Sequence, residues 1–324
     1  MPTATTKPAT TSPLESLQRD GFVIVRQCLM PMDPRFTSLR NAATEATRLA
    51  RTGKWPYFRT VPKQFPPWPN TATEGGIWGV QHLLHPDLAG REEFARFYFS
   101  DNVLGVVEEL LLPGANNNDD ESQEPLVMEL LNLLVAPEAK DFQLRWHRDD
   151  IPSTVSPETE LDLLHSKSPA GRQAHAQYNL ALCEDDSLIV VPGSHRRVRT
   201  ETEYAADPYE PTLPGQVVVK LQPGDAVFYD SNILHRGVYR AKKENGEETR
   251  LTVHGSVGLK VNGVTDEEKS KERARRVLQH GVGLWGRRYD AGFEGITGIG
   301  ERAEKMRANL VAMGNEDVGF SLDG

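Results

Sequence analysis

Between residues 126 and 257 the sequence alternates short apolar runs with turn-forming Gly, Pro and Asp, and this pattern restricts the fold more than any other feature. The runs span residues 126–135, 142–147, 176–183, 187–191, 216–221, 226–229, 233–239 and 250–257. Short apolar segments between such turns are typical of strands in an antiparallel sandwich or barrel. The sequence therefore predicts a mainly β fold, with helices packed around an eight-stranded, double-sheet barrel.

Helical patterns flank the predicted strands on both sides. A further strand is expected at 22–25, and helices are expected at 13–20, 35–52, 86–99, 103–112, 266–280 and 300–312. The hydrophobic content of 38% is enough for one sizeable core, and barrel folds of about 200 residues or more commonly form single domains. We therefore expect a disordered N-terminus and a single domain with three parts. The boundaries are 1–13 for the disordered segment, 14–324 for the domain, 14–125 for its helical part, 126–260 for the barrel core and 261–324 for the C-terminal helices.

The overall charge argues against one class of partner. The formal net charge is −9 and the pI is about 5.6, whereas a nucleic-acid partner requires a basic face. No apolar run approaches the ~20 residues of a membrane span, and residues 1–13 lack the features of a targeting peptide. The two cysteines, Cys28 and Cys183, lie far apart and lack metal-binding spacing. We expect a cytoplasmic protein that acts on a small molecule, without nucleic-acid or membrane partners, and we predict no oligomeric state.

A candidate metal site begins with a His-x-Asp triplet. His147 and Asp149 are two residues apart in an expected strand, so their side chains should project to the same face. His235, in a later expected strand, is well placed to supply a third ligand. Two imidazoles and one carboxylate leave three positions of an octahedral metal open, which is typical of non-haem Fe(II) oxygenases.

A second His-x-Asp triplet, His85-Pro86-Asp87, shows that the pattern alone is weak evidence. Pro86 would interrupt a strand, so we interpret this triplet as the start of a helix. The remaining histidines receive structural interpretations. His195 is expected in a turn, His82 and His254 are expected in the core, and His165, His175 and His280 are expected at the surface.

Arg250 and Thr252 form a second pair on one face of an expected strand. An arginine fork together with a hydroxyl is suited to binding a carboxylate. The alternative for Arg250 is a surface cation on an edge strand. Its position at the head of an apolar strand, after the charged turn at 242–248, favours burial.

Four segments in this order resemble the phytanoyl-CoA dioxygenase family. They are Trp-His-Arg-Asp at 146–149, Ser-Leu-Ile-Val-Val-Pro-Gly-Ser-His-Arg at 187–196, Leu-Gln-Pro-Gly-Asp-Ala-Val-Phe at 221–228 leading into His235, and Arg250. The opening at 17–25, with Asp20-Gly21 before an apolar strand, also resembles the start of that family. The resemblance covers most of the chain, although only the barrel half carries specific motifs.

The resemblance implies a double-stranded β-helix core of the jelly-roll, cupin-like type, with Fe(II), 2-oxoglutarate and O2 as cofactor and cosubstrates. It also implies roles for individual residues. His147, Asp149 and His235 match the iron ligands, Arg250 matches the residue that binds the 5-carboxylate of 2-oxoglutarate, and Thr252 matches an assisting hydroxyl. No catalytic residue beyond the metal ligands is predicted.

Two departures from the family pattern are visible. The gap between His235 and Arg250 is longer than usual, and Asp185-Asp186 replace the family's Asn-Gly. We expect neither departure to touch a ligand, so the chemistry should be retained. Three further polar residues, Gln81, Asn132 and Gln143, are candidate cosubstrate or substrate contacts, and Gln143 has the same parity as His147, so it is expected on the same strand face. For each of the three a structural role is the alternative.

The expected reaction is oxidation of a C–H bond of a small metabolite, most simply hydroxylation, with release of succinate and CO2. The Pro- and Trp-rich segment at 54–76 is a candidate lid over the site. Two alternatives remain open. One is a cupin-like metal enzyme that does not use 2-oxoglutarate, and the other is an inactive barrel that serves as a binding module.

Overall fold

A computed structural model describes residues 12–65, 68, 71–113, 126–167, 175–243, 249–260 and 284–313. In these residues the strands are β1 Phe22–Val25, β2 Phe58–Thr60, β3 Ile77–Val80, β4 Leu126–Val135, β5 Phe142–Gln143, β6 His175–Ala181, β7 Leu188–Val191, β8 Val217–Val218, β9 Ala226–Tyr229, β10 Leu234–Tyr239 and β11 Leu251–Leu259. The helices are α1 Pro13–Asp20, α2 Pro34–Arg51, α3 Arg91–Tyr98, α4 Asp101–Leu111, α5 Pro157–Lys167, α6 Glu201–Ala205 and α7 Glu301–Met313, with 3₁₀ turns at Ser194–Arg196 and Leu284–Arg287. The prediction of a mainly β structure with flanking helices is confirmed.

The described strands form two antiparallel sheets. The large sheet has the order β1-β9-β6-β11-β4-β3-β2, and the small sheet has the order β5-β10-β7-β8. The two sheets face each other, because the ring of Tyr229 in β9 lies 5.6 Å from that of His235 in β10. Similarly, the ring of Trp78 in β3 lies 5.5 Å from that of Tyr239 in β10. We call the side of the large sheet that faces the small sheet its inner face.

Strand β11 shows how alternation separates the core from the interior. Leu251 and Val253 point to the outer side and join the apolar cluster that includes Leu39 of α2 and Leu104 of α4. Thr252 and the other even-numbered residues of β11 point to the inner face. The helices therefore cover one side of the large sheet, and polar side chains are left facing the small sheet.

Several predicted boundaries differ from the structure. The strand expected at 142–147 is only two residues long, and the strand expected at 216–221 shortens to Val217–Val218. The helix expected at 86–99 begins at Arg91, after Gly90 with a positive φ, so His85-Pro86-Asp87 is not a helix start. Strands β2 and β3 and helices α5 and α6 were not predicted. The helix expected at 266–280 and residues 1–11 of the expected disordered segment lie outside the described residues.

The N-terminal boundary has a local explanation. Ser12 caps α1 in a capping box with Glu15, and Gly21 ends the helix with a φ of 82°.

The helices of the described residues include none that is both long and apolar enough to cross a membrane.

Candidate metal centre

Backbone pairing brings the three predicted ligands together. His147 and His235 form an antiparallel bridge in which each backbone N–H donates to the other's carbonyl at 3.0 Å. The backbone N–H of Asp149 donates to Ser231 O at 2.9 Å, which holds the triplet against the turn that precedes β10. The site is therefore built from the end of the β5 segment and the start of β10.

The ligand atoms of these residues form a compact group. Asp149 Oδ1 lies 3.4 Å from His147 Nε2 and 3.7 Å from His235 Nε2. One ligand atom from each residue lies within 4.8 Å of the other two. Two imidazole nitrogens and one carboxylate oxygen are the donor set that suits Fe(II) with open positions, so the residues present fit this metal.

In each predicted ligand, a hydrogen bond holds one polar atom and leaves the other available for the metal. His147 Nδ1 donates to Arg145 O at 2.7 Å, and His235 Nδ1 donates to Ile233 O at 2.8 Å. The Nε2 lone pairs are therefore free to bind a metal. Gln177 Nε2 donates to Asp149 Oδ2 at 3.0 Å, which leaves Oδ1 directed toward the imidazoles.

The protonation states also suit metal binding. Burial, reinforced by neighbouring His147, lowers the pKa of His235 to about 4. Burial alone would raise the pKa of Asp149, but His235, His147 and the bond from Gln177 together lower it below its usual value. At neutral pH the protein thus presents neutral His235 and an ionised carboxylate, which are the forms that bind a metal.

Arg148 fixes the backbone of the triplet from the opposite side. Its buried guanidinium pairs with Glu160 of α5 at 2.9 Å and donates to the carbonyls of Ser194, Asn232 and Arg197. One side chain therefore ties the metal-binding triplet to α5, to the 3₁₀ turn and to the turn before β10.

Arg250 and Thr252 are both buried on the same inner side of the sheet. Thr252 Oγ1 donates to Asp185 Oδ2 at 2.6 Å, and Arg250 Nε lies 3.3 Å from the same oxygen. Arg250 stacks on Tyr239, with 4.3 Å between the guanidinium carbon and the ring centroid. Asp185, one of the departures from the family pattern, therefore contacts both residues predicted to bind the carboxylate of 2-oxoglutarate.

A family model described as phytanoyl-CoA dioxygenase matches residues 17–238, which is more than half of the chain. The chain belongs to the phytanoyl-CoA dioxygenase family. This dioxygenase is a non-haem iron, 2-oxoglutarate-dependent enzyme, with Fe(II), 2-oxoglutarate and O2 as its cofactor and cosubstrates. A search of curated proteins found no match.

Solved structures resemble this dioxygenase at low sequence identity. EctD from S. alaskensis with 2-oxoglutarate and 5-hydroxyectoine is 17% identical, with 80% of this chain and 79% of that chain covered and a TM-score of 0.51. The same EctD with bound Fe is 15% identical, with 80% and 79% covered and a TM-score of 0.50. AviO1 from Streptomyces viridochromogenes Tue57 is 19% identical, with 77% and 96% covered and a TM-score of 0.48.

Two of the family motifs have structural roles in this dioxygenase. The Asp20-Gly21 segment packs against the Pro-Gly-Ser-His-Arg turn, where Gly193 N–H donates to Asp20 O at 2.8 Å. A side chain at Gly21 would lie 2.5 Å from His195 Nδ1. Asp225 of the Gln-Pro-Gly-Asp turn is buried and accepts hydrogen bonds from the segment after β1. These motifs therefore join the N-terminal strand to the barrel.

The other predicted contact residues separate into two groups. Gln81 and Asn132 are buried next to the interior, and Asn132 Oδ1 accepts from His82 N–H at 3.1 Å. Gln143 is exposed, and its Oε1 accepts from Arg236 at 2.7 Å. The prediction that Gln143 shares the face of His147 is therefore wrong.

A one-residue register shift is the reason for that error. Gln143 pairs with Val238, whereas His147 pairs with His235, so the chain gains one residue relative to β10 between the two pairs. A bulge of this kind moves the following side chains to the other face. His147 consequently points inward although Gln143 points outward.

Sequence reasoning gave no role near the ligands to four residues. Gln177 bonds Asp149, Asp185 bonds Thr252, Gln64 Nε2 lies 3.4 Å from His147 Nδ1, and Arg59 enters the interior from β2. Alternation within β6 could have placed Gln177 on the inner face. The others depend on contacts between segments that are distant in sequence, and no local pattern indicates them.

Proposed function

We propose that this dioxygenase holds Fe(II) with His147, Asp149 and His235 and oxidises a C–H bond of a small metabolite, most simply by hydroxylation. The remote carboxylate of 2-oxoglutarate would bind at Arg250, with Thr252 beside it. We interpret the two facing sheets as the double-stranded β-helix core of one domain spanning 14–324, in a cytoplasmic protein.

The convergence of the three ligand atoms is the observation that carries this proposal. Together, bound iron and 2-oxoglutarate supply the oxidation of a C–H bond by O2, with release of succinate and CO2. The imidazoles and the carboxylate would hold the metal, while Gln177 holds the carboxylate in its orientation. Arg250 holds a positive charge at a fixed place in the interior.

Polar side chains on the inner face support a substrate with hydrogen-bonding groups. His254 of β11 pairs across the sheet with Asn132 of β4 and with Asn179 of β6. His254 Nδ1 and Asn179 Oδ1 are 2.8 Å apart. Asn132 Nδ2 is buried and has no acceptor among the described residues. Because an unpaired buried donor is costly, a substrate oxygen is a suitable partner for it.

The segment at 54–76 is proposed as a lid that keeps water from the metal. Gln64 Oε1 accepts from Arg145 N–H at 3.0 Å, and the ring of Phe65 lies 5.9 Å from that of His147. The described part of this lid segment therefore borders a metal ligand directly. Phe65 is 42% exposed, so it is placed between the site and solvent.

The direct test is an anaerobic titration of the purified protein with Fe(II) and then 2-oxoglutarate. We expect the weak visible charge-transfer band of the iron chelate in the wild type and in His165→Ala, whose substitution lies on the exposed side of α5. The band should be lost in His147→Ala. Iron binding without any band in the wild type would contradict the assignment of Arg250 and favour the cupin-like alternative.

A further inference from the structure

Arg59 is a second arginine that reaches the inner face of the large sheet. It pairs with Gly79 of β3, Gly79 pairs with Leu134 of β4, and Leu134 pairs with Thr252 of β11. Directly paired residues of antiparallel strands point to the same side of a sheet. Arg59 therefore lies in the same cross-strand row as Thr252, three strand spacings or about 14 Å away along the backbone.

Gly79 leaves the space through which the Arg59 side chain enters. A Cβ atom at Gly79 would lie 3.1 Å from Arg59 Cδ. Farther along, the guanidinium carbon lies 5.2 Å from the ring centroid of Trp78 and 5.8 Å from that of Trp68. Trp78 in turn contacts Tyr239, on which Arg250 stacks. Trp78 and Tyr239, in edge-to-face contact with each other, thus lie between the two arginines.

Arg59 lacks a protein anion. Its Nε is buried without a hydrogen-bond acceptor, and none of the ion pairs among the described residues includes it. Burial lowers its pKa, while the nearby Tyr239 and Asp149 act in the opposite direction. Arg59 as a whole is partly buried, and because a largely desolvated cation without a partner is unfavourable, an anion from a ligand is the expected partner.

The residues proposed for the remote carboxylate are already partly engaged. The hydroxyl of Thr252 donates its hydrogen bond to Asp185, and Arg250 Nε lies 3.3 Å from Oδ2 of the same carboxylate. Asp185 is buried, and although burial alone would raise its pKa, Arg250 and Thr252 keep that pKa below its usual value. Asp185 therefore cancels charge that a bound carboxylate would need.

The charges balance only if Arg59 is counted. Asp149 and Asp185 each carry one negative charge, and Arg59 and Arg250 each carry one positive charge. Fe(II) and doubly ionised 2-oxoglutarate cancel each other. With Arg59 the loaded site would be neutral, whereas without it one negative charge would remain uncompensated.

We propose that Arg59 is a second cosubstrate-binding residue, which supplies the positive charge for the remote carboxylate of 2-oxoglutarate that Asp185 withdraws from Arg250. This inference rests on the proposed function. It makes Arg59, in β2, and Asp185, between β6 and β7, a pair whose charges compensate each other.

The test compares Arg59→Gln, Asp185→Asn and the double variant in two measurements. The first is the Kd of 2-oxoglutarate for the anaerobic Fe(II) protein, and the second is the midpoint of thermal unfolding without metal or cosubstrate. Arg59→Gln should weaken 2-oxoglutarate binding roughly 10- to 100-fold, the range for losing a hydrogen bond to a charged group. Its unfolding midpoint should stay equal or rise, because a partly buried, unpaired cation is removed. A structural role would instead lower both the affinity for 2-oxoglutarate and the unfolding midpoint.

Asp185→Asn should restore most of the lost affinity in the Arg59→Gln background, because it returns the full charge of Arg250 to the carboxylate. Arg48→Gln is the control, since Arg48 is an exposed arginine of α2 that pairs with Glu45 on the outer side of the large sheet. That variant should bind 2-oxoglutarate like the wild type.

Three outcomes test this inference and separate it from the proposed function. If the wild type forms the chelate and Arg59→Gln binds 2-oxoglutarate equally well, only the inference is overturned, and the anion partner of Arg59 belongs to the substrate. If the double variant is no better than Arg59→Gln, the compensation is also wrong. If the wild type itself forms no chelate, both the inference and the proposed function fail.

Discussion

Gln177 shows how one hydrogen bond can control a metal ligand. Its amide donates to Asp149 Oδ2 from the neighbouring sheet. We predict that Gln177→Leu weakens Fe(II) binding roughly 10- to 100-fold, because residues that orient metal ligands typically contribute this much to affinity. Anaerobic metal titration measures the effect directly.

Gln143→Leu is the matched control for that substitution. Gln143 has the same side chain, but it is exposed and bonded to Arg236 on the outer side of the small sheet. Its replacement should leave the Fe(II) affinity unchanged. Equal losses in the two variants would show that Gln177 does not act through Asp149.

Two histidines outside the metal group should make stability depend on pH. Burial is the main cause that lowers the pKa of His195 to about 4 and that of His254 to about 3. In the unfolded chain a histidine has a pKa of about 6.5. Below that pH the unfolded state binds more protons, so the free energy of unfolding should decrease as the pH falls from 6.5 toward the folded values, by at most about 1.4 kcal/mol per pH unit for each residue.

Denaturant titrations of the metal-free protein between about pH 7 and pH 5 measure this dependence. His254→Asn should reduce the slope, because one depressed pKa is removed. His165→Asn, at an exposed position of α5, should leave it unchanged. A wild-type stability that does not change over this interval would contradict the assignment.

Strand β5 illustrates what local sequence can and cannot predict. The His-x-Asp spacing correctly indicated that His147 and Asp149 lie together, because two adjacent residues of one face need no partner strand. Strand alternation gave the wrong face for Gln143, four residues before His147. The bulge between these two residues depends on the register with β10, which local sequence does not show. Strands β2 and β3 were missed because the Pro-rich segment around them lacks alternation, and their pairing with β4 decides their structure.

The contact between α1 and the 3₁₀ turn can be tested with a pair of glycines. Gly21→Ala should be destabilising for two reasons, namely the positive φ of 82° and a Cβ atom 2.5 Å from His195 Nδ1. Backbone strain should cost roughly 1–3 kcal/mol, and overpacking should add roughly 1–3 kcal/mol. Chemical denaturation of the two variants gives the difference.

Gly53→Ala isolates the contribution of the backbone. Gly53 also has a positive φ, of 71°, but a Cβ atom there would have nothing within 4 Å. It should therefore show only the first of the two costs. If Gly21→Ala is no more destabilising than Gly53→Ala, the packing of Gly21 against His195 contributes little.

Over the whole molecule, the architecture and the ligand positions were more predictable than the surroundings of the ligands. The mainly β structure follows from the apolar runs, and the ends of β4 and β9 agree with the predicted ones. Asp185 and Arg59 approach the cosubstrate residues only through tertiary packing, so no spacing in the sequence indicated them. For the same reason the substrate class cannot be derived from motifs and depends on inner-face residues such as Asn132.

The proposed lid should control how oxygen chemistry is coupled to the substrate. Phe65→Ala removes a partly exposed ring beside His147 without opening a core cavity. We predict nearly unchanged 2-oxoglutarate binding but a severalfold faster formation of succinate without added substrate, since water gains access to the site. Tyr289→Ala, at a fully exposed position, is the control. Unchanged succinate formation in Phe65→Ala would contradict the lid role.

The central claim is that His147, Asp149 and His235, rather than another buried histidine, bind the iron. The most direct measurement is the Fe(II) affinity of His235→Ala and His254→Ala under anaerobic conditions, since both histidines are buried in the same interior. We predict that His235→Ala loses tight binding, while His254→Ala retains one Fe(II) per chain with an affinity close to that of the wild type. Retention of iron by His235→Ala, or its loss from His254→Ala in a folded protein, would contradict the assignment of the metal centre.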